Sequence, residues 1–394
     1  TIPGEISESG VMDPAHELLG KIIGERYEIQ CVLGQGGMGV VYQARHISLE
    51  KLLAVKLLLI AQNEEYQRRF LQEAQLASQI NHPNTVFLSD FGVLPDGRSY
   101  IVMELLRGPT LASVIAEGAM DPMRACKIAA QIAHGLQAVH DQGIIHRDLK
   151  PENVFLLDQD GKKDNVKIVD FGIAKATSDA PMVRKRNSQD EISVVSDLKI
   201  SSQTMPGTLM GTPAYLAPEM ALGQEVDFRV DQYALGVILF EMVTGQLPFD
   251  ASTIGQMLQH HISTKPPLLS KRVSGSTPSL DALVARLLAK KPEERFPNMR
   301  AVGDALEKEV ELRLLARGAV VAAVTGSPVA SATSTSASID RPTRSGCSAT
   351  SLGSSAMRTG TRCTTLIQLP VAFCAGSSAK AAPVPAPRPV TVPR

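Results

Sequence analysis

The chain has no excess of charge, no cysteine pattern and no long apolar run, and each absence closes off a class of function. Lysine plus arginine and aspartate plus glutamate each number 40 in 394 residues, so the formal net charge is zero. Such a balance gives no general attraction to nucleic acid or to an anionic membrane surface, so no nucleic-acid partner is expected. The five cysteines (Cys31, Cys126, Cys347, Cys363, Cys374) show no paired spacing suited to zinc. Their odd number and scatter fit a reducing compartment better than a disulfide framework. The longest late apolar run, Gly318 to Val324, falls far short of the roughly 20 residues that cross a bilayer. No basic-then-apolar export signal opens the chain. A cytoplasmic protein without a membrane span is the expectation.

What is present centres on Ile145-His146-Arg147-Asp148-Leu149-Lys150-Pro151-Glu152-Asn153, with Asp170-Phe171-Gly172 beginning 17 residues after Asn153. Two carboxylates, a lysine and an amide are gathered here. Phosphoryl transfer asks a protein mainly for positioning and charge stabilisation. Asp148 can accept the proton of an attacking hydroxyl and Lys150 can neutralise a moving phosphate. Asn153 and Asp170 offer the hard oxygen ligands that Mg²⁺ prefers. In isolation an Asp-Phe-Gly triplet is an ordinary turn and His-Arg-Asp an ordinary solvated loop.

The two motifs together resemble those of eukaryotic-like (Hanks-type) Ser/Thr protein kinases, H-R-D-x-K-x-x-N followed by D-F-G. Upstream, Tyr27 to Leu33 and Val40 to Ala44 read as strands flanking Gly34-Gln35-Gly36-Gly37-Met38-Gly39. Without Cβ atoms, Gly34, Gly36 and Gly39 let backbone amides approach phosphate oxygens. G-x-G-x-x-G also marks dinucleotide sites, but here no helix follows it. The next strand, Leu52 to Leu59, carries one charge, Lys56. In the helix after it, Glu64 to Ile80, an inward stripe runs through Tyr66, Phe70, position 73, Ala77 and Ile80, and position 73 is Glu73. A carboxylate on a buried helix face needs a cation, and Lys56 is the candidate. Ala54-Val55-Lys56 resembles the kinase V-A-I-K, which implies that Lys56 holds the α- and β-phosphates and Glu73 orients it.

The resemblance further implies a hinge at Glu104-Leu105-Leu106-Arg107-Gly108, with Met103 as gatekeeper and the backbone of Glu104 and Leu106 holding adenine. Leu33, Val41, Ala54 and Phe155 would enclose the ring. Asp121-Pro122 opens a helix with an apolar stripe (Ala125, Ile128, Ile132, Leu136, Val139), closed by Gly143. His134 and His140 show no metal-ligand spacing and read as structural or exposed. Asp158-Gln159-Asp160-Gly161 opens like a calcium loop, but its twelfth position is Val169, so a hairpin turn is the reading. By resemblance, Glu219 of Ala217-Pro218-Glu219 pairs with Arg295, and Asp231 holds the catalytic-loop backbone. Tyr233 to Val243 is apolar nearly all round, as a buried helix would be. Further helices are expected near 253–262, 280–289 and 299–316.

The expected organisation is an N-terminal arm (1–26), an α+β, bilobal kinase domain (27–316) and a tail (317–394). The domain divides into a small sheet-plus-helix lobe (27–103), a hinge (104–108) and a larger, mainly helical lobe (109–316). The Ser/Thr/Ala/Pro-rich tail is too poor in apolar residues to order itself. The resemblance implies ATP, Mg²⁺ or Mn²⁺ and protein substrates. Lys150 and Thr212 fit Ser/Thr rather than Tyr specificity, and the wording of the motifs is most similar to bacterial members. Two rivals are a pseudokinase scaffold and a small-molecule kinase. Lys56, Asp148, Asn153 and Asp170 are all present against the first, and the complete Ala-Pro-Glu segment argues against the second.

From Asp170 to Glu219 the activation segment has 50 residues, rich in Ser and Thr. A phosphate on it would carry about −1.5 to −2 charges, enough to engage Arg147. Autophosphorylation in trans, through self-association, is expected at Thr204 or Thr208. Mass spectrometry before and after ATP treatment should find it; full activity of a Thr204→Ala/Thr208→Ala variant would remove the switch.

Overall fold

The computed structural model describes residues 16–36, 39–59, 64–159, 161–171 and 213–325. Thr204, Thr208, Thr212 and the rest of 172–212 lie outside the described residues, as do Gly37, Met38 and everything beyond 325.

The first lobe is one antiparallel sheet of six strands: β1 (Ile22–Ile23), β2 (Tyr27–Gly36), β3 (Gly39–His46), β4 (Leu52–Leu58), β5 (Leu88–Val93) and β6 (Ser99–Glu104). Their spatial order is β1-β2-β3-β4-β6-β5. Alternation along β3 and β4 buries Val40, Tyr42, Ala44, Val55 and Leu57, the period of two expected of a sheet with one face in a core. Leu18 and Ile23 join the same cluster. Residues 16–26, read as part of the arm, therefore contribute to the lobe. Gly39 is required sterically: a Cβ there would collide with the Leu57 carbonyl oxygen on the neighbouring strand.

Helix α1 (Glu64–Ser78) packs on this sheet through Phe70, Ala74 and Ala77, all buried. The steps of four and three are those expected, but the buried centre of the stripe is Ala74 rather than Glu73. Glu73 is half-buried at the edge of the stripe.

Past the hinge the chain is helical. A short α2 (Leu111–Ala116), capped by the Thr110 hydroxyl, precedes α3 (Pro122–His140). The Asp121 carboxylate caps α3 by accepting from the backbone N–H groups of Met123 and Arg124, and Gly143 follows with φ +74°. Then come a 3₁₀ turn (Pro151–Asn153) and a hairpin of β7 (Val154–Gln159) and β8 (Lys162–Ile168). Among the described residues the remaining α-helices are α4 (Pro218–Ala221), α5 (Arg229–Thr244), α6 (Ile254–Ser263), α7 (Pro278–Leu287) and α8 (Met299–Thr325).

Helix α5 is buried on every side from Val230 to Phe240, with α3 and α7 against it. At Gly236 a Cβ would stand 2.8 Å from the Leu287 Cβ, so the glycine permits close approach of α7. The C-terminal helix outlasts expectation: α8 continues from 316 to Thr325. The run after Gly318 is Ala- and Val-rich, and extending a formed helix costs far less than nucleating one.

Glu219 on α4 and Arg295 form the expected pair, with bonds of 2.6 and 2.8 Å between a guanidinium that is fully buried and a carboxylate nearly so. Arg295 also donates to the carbonyls of Ala289 and Arg229. A buried pair with these extra bonds is costly to break, because the remaining charge cannot reach water. Arg295→Leu should destabilise the domain by about 3–5 kcal/mol, read as a lower denaturant midpoint; a shift under about 1 kcal/mol would place the pair in solvent.

Candidate active site

The catalytic-loop stretch is folded around one carboxylate. Asp231, in the first turn of α5 and only 1% exposed, accepts the backbone N–H of His146 and of Arg147, each at 2.9 Å. The ring Nε2–H of His140 donates to the same carboxylate at 2.7 Å. Two successive N–H groups converge on one carboxylate because Arg147 adopts φ +59°. A left-handed backbone costs a non-glycine residue roughly 1–2 kcal/mol, and charge-assisted bonds of about 1.5–3 kcal/mol each offset it. Burial alone would raise the Asp231 carboxyl, but the His140 bond, both nearby imidazoles and the His146 N–H outweigh it and hold the group below its ordinary value.

His146 is fully buried and carries the order onward. Its Nε2 lies 3.0 Å from the Val169 carbonyl and its Nδ1 3.3 Å from the Asp148 N–H, which fixes the tautomer: Nε2 donates and Nδ1 accepts. The Phe171 ring meets the imidazole at a steep angle, centroids 5.9 Å apart. Asn153 closes the network: its Nδ2 donates to the Asp148 carbonyl at 2.9 Å, and its own carbonyl accepts from the Val169 N–H at 2.9 Å. Asp148, Asn153 and the residue before Asp170 are thereby held in one frame.

Two lysines face Asp148 and Asp170. Lys150 Nζ stands 3.1 Å from Asp148 Oδ2. Lys56 Nζ stands 2.7 Å from Asp170 Oδ1, so the ion pair the structure gives Lys56 is with Asp170, where Glu73 is the expected partner. Asp170 adopts φ +60°, and Glu73 is half-buried, with its Oε2 enclosed. Lys56 itself is placed as expected, opposite Val41 on β3 and Ile101 on β6.

The residues expected around adenine lie on β2, β3, β4, β6, the hinge and β7. Ala54 pairs with Met103 across β4 and β6, and both are buried. Val41, Leu106 and Phe155 are half-buried, and Phe155 bridges to Thr110 just past the hinge. Gly34 lies opposite Val41, and Leu33 beside it is about half exposed. On the other side of the catalytic loop a cleft is lined by Asp148, Lys150, Tyr215, Leu216 and Met220. The Tyr215 hydroxyl donates to Glu241 at 2.7 Å, fixing this wall to α5. Burial, with Glu241 adding, pushes the phenol up.

A protein kinase domain description matches residues 27–305. The chain belongs to the protein kinase family. Among its curated relatives are the serine/threonine-protein kinases pkn3 of Myxococcus xanthus (36% identity, covering 71% of this chain and 49% of that protein) and Pkn1 of the same organism (38%, 70% and 37%). PknB of Mycolicibacterium smegmatis is 37% identical, covering 70% of this chain and 41% of that protein. The chain thus spans half or less of the length of these relatives. The PknI kinase domain of Mycobacterium tuberculosis superposes with a TM-score of 0.53 at 27% identity, covering 74% of this chain and 98% of that one. The kinase is of the bacterial Hanks type, with an antiparallel-sheet lobe and a helical lobe.

Sequence reasoning reads His140 only as structural or exposed, without its partner, and does not find the Tyr215–Glu241 bond. His140 and Asp231 are 91 residues apart, and no local pattern links them. His134 does find a partner, facing Glu307 at 3.6 Å with Asp304 alongside, between α3 and α8.

Asp231→Asn keeps the shape but replaces one acceptor oxygen with a donor. Loss of one charge-assisted bond predicts a fall in kcat of about 10- to 100-fold, with ATP affinity little changed. Because the carboxyl is depressed, the stability it contributes is complete above the ordinary carboxylate range. It is lost as pH falls through the lowered value. Acid unfolding of the wild type should therefore show a component that Asp231→Asn lacks; identical acid limbs would refute the assignment.

Proposed function

We propose that the domain transfers the γ-phosphoryl group of ATP to Ser or Thr hydroxyls of proteins. The observation that carries the reading is the placement of Asp148 beside Lys150, in one hydrogen-bonded frame with Asn153 and the strand leading to Asp170. Asp148 accepts the hydroxyl proton as the nucleophile advances. Lys150, 3.1 Å away, stands where it can also meet the transferred group, so proton acceptance and charge neutralisation occur side by side.

The donor set fits a hard divalent ion, for which we propose Mg²⁺. Since the Asn153 Nδ2 is committed to the Asp148 carbonyl, its Oδ1 remains the ligand atom, and Asp170 adds a carboxylate. Bound there, the ion would neutralise phosphate charge and orient the β- and γ-oxygens. Lys56, which meets Asp170 at 2.7 Å, would hold the α- and β-phosphates. At Gly34 and Gly36 a Cβ would meet no atom of the described residues within 4 Å. Their lack of side chains leaves the face of the loop open to a ligand, as a cover for phosphates requires.

The cleft lined by Tyr215, Leu216 and Met220 supplies the platform for the peptide. Members of this reading include autophosphorylation between two copies on the activation segment, and action in the cytoplasm, where ATP and reduced thiols are found.

The two aspartates should separate by kinetics. Asp148→Asn should lower kcat by about 10²- to 10⁴-fold, the usual span of a general base, with nucleotide affinity retained. Asp170→Asn should weaken metal-dependent ATP binding as well as turnover. Radiolabelled ATP with a generic basic protein measures both, and equal loss of ATP affinity in the two variants would contradict these roles.

A further inference from the structure

The hinge is held to the larger lobe by a side chain that the chemistry above does not use. Lys167, on β8, extends its ammonium to Glu104 Oε1 at 2.7 Å and to the Thr85 carbonyl at 3.0 Å. Lys167 is 15% exposed and Glu104 28%. The Glu104 carboxylate also accepts the Phe87 N–H at 2.9 Å, while the Glu104 N–H donates to the Phe87 carbonyl at 3.0 Å. Glu104 is thus fixed at both its backbone and its side chain.

Residues 84–86 are sewn to the same strand. The Ile168 N–H donates to the Asn84 carbonyl, the Val86 N–H donates to the Ile168 carbonyl, each at 2.9 Å, and Asn84 Nδ2 donates to the Val166 carbonyl at 3.0 Å. The Lys167–Glu104 bond closes this into a ring: hinge, the segment before β5, β8 and back to the hinge. Two features give the ring a functional reach. Phe155 lies directly across the hairpin from Lys167, and Asp170 follows three residues later along the chain.

We infer that Lys167 is a positioning residue for the nucleotide, setting the hinge backbone in register with Phe155 beneath the ring and with Asp170 at the phosphate end. It touches none of the reacting atoms and acts through Glu104. A lysine between a carboxylate and a carbonyl, mostly shielded from water, is screened less than a surface pair. Its loss frees the hinge to shift relative to β8, so the adenine and phosphate ends of the site no longer fit one nucleotide at once. The chemical step, governed by Asp148 and its frame around Asp231, is left alone. The inference rests on the ATP-dependent reading of this site.

The test uses the full chain and two measurements, ADP affinity with Mg²⁺ by calorimetry and KM for ATP against kcat. Lys167→Met should raise the ADP Kd and the ATP KM together by about three- to tenfold, with kcat within about twofold. Lys167→Arg should recover most of the loss, since a guanidinium reaches the same two acceptors. Glu104→Gln keeps an oxygen for the Phe87 N–H while removing the charge, so it should reproduce the Lys167→Met shift without disturbing the strand. Unchanged Kd and KM in both charge-removing variants would overturn the inference. So would a rise in kcat at constant KM, which would make the bond a brake on lobe motion, or an Arg variant no better than Met. A wild-type chain that binds ADP without turnover would defeat the catalytic reading, while the ADP measurements would still decide the inference.

Discussion

The Asp231 carboxylate is the constraint on which the rest of the site depends. Two backbone N–H groups and an imidazole converge on it in the interior. A charge in that environment is tolerable only when its lone pairs are filled. The requirement runs both ways: the anion needs the loop, and the loop can keep its left-handed turn at Arg147 only because the anion rewards it. From that turn the order passes through His146 and Asn153 to the strand before Asp170. Asp148, Asn153 and the strand before Asp170 are therefore held by a chain of polar bonds that starts in α5, which is buried on every side from Val230 to Phe240.

The two lobes supply different kinds of rigidity. In the sheet lobe, strand register decides position: Val41 opposite Lys56 and Ala54 opposite Met103 follow from pairing alone. In the helical lobe, a few polar pairs do the same work, with the buried Glu219–Arg295 pair joining the end of the activation segment to the loop before α8 and the half-buried Tyr215–Glu241 bond fixing one wall of the cleft beside Asp148. A sheet can position by hydrogen-bond repeat. Helices have no such ruler and rely on specific side chains between them.

Much of this was legible in the sequence because it is written locally. The glycine loop, the lysine-bearing strand, the Asp121-Pro122 helix start and the all-round apolar α5 each declare themselves within a dozen residues, and the catalytic motifs are short enough to be read directly. The Glu219–Arg295 pair and the anchoring role of Asp231 were expected from family resemblance, and both bonds are present. What escaped depends on contacts between distant segments. His140 gave no local sign of meeting Asp231, and nothing around Lys167 announces Glu104. The sequence points Lys56 to Glu73, whereas the structure pairs Lys56 with Asp170, a residue far along the chain that no local pattern links to it.

The positive φ angles at Arg147 and Asp170 bear on any attempt to improve this protein by selection. Glycine at either position would relax the backbone by roughly 1–2 kcal/mol, so a library screened only for heat resistance would be drawn to both sites. Each such winner would discard the Arg147 guanidinium or the Asp170 carboxylate that meets Lys56. On the function proposed above, thermal and enzymatic fitness would be opposed at these two codons, and a screen that scores heat resistance alone would select against turnover.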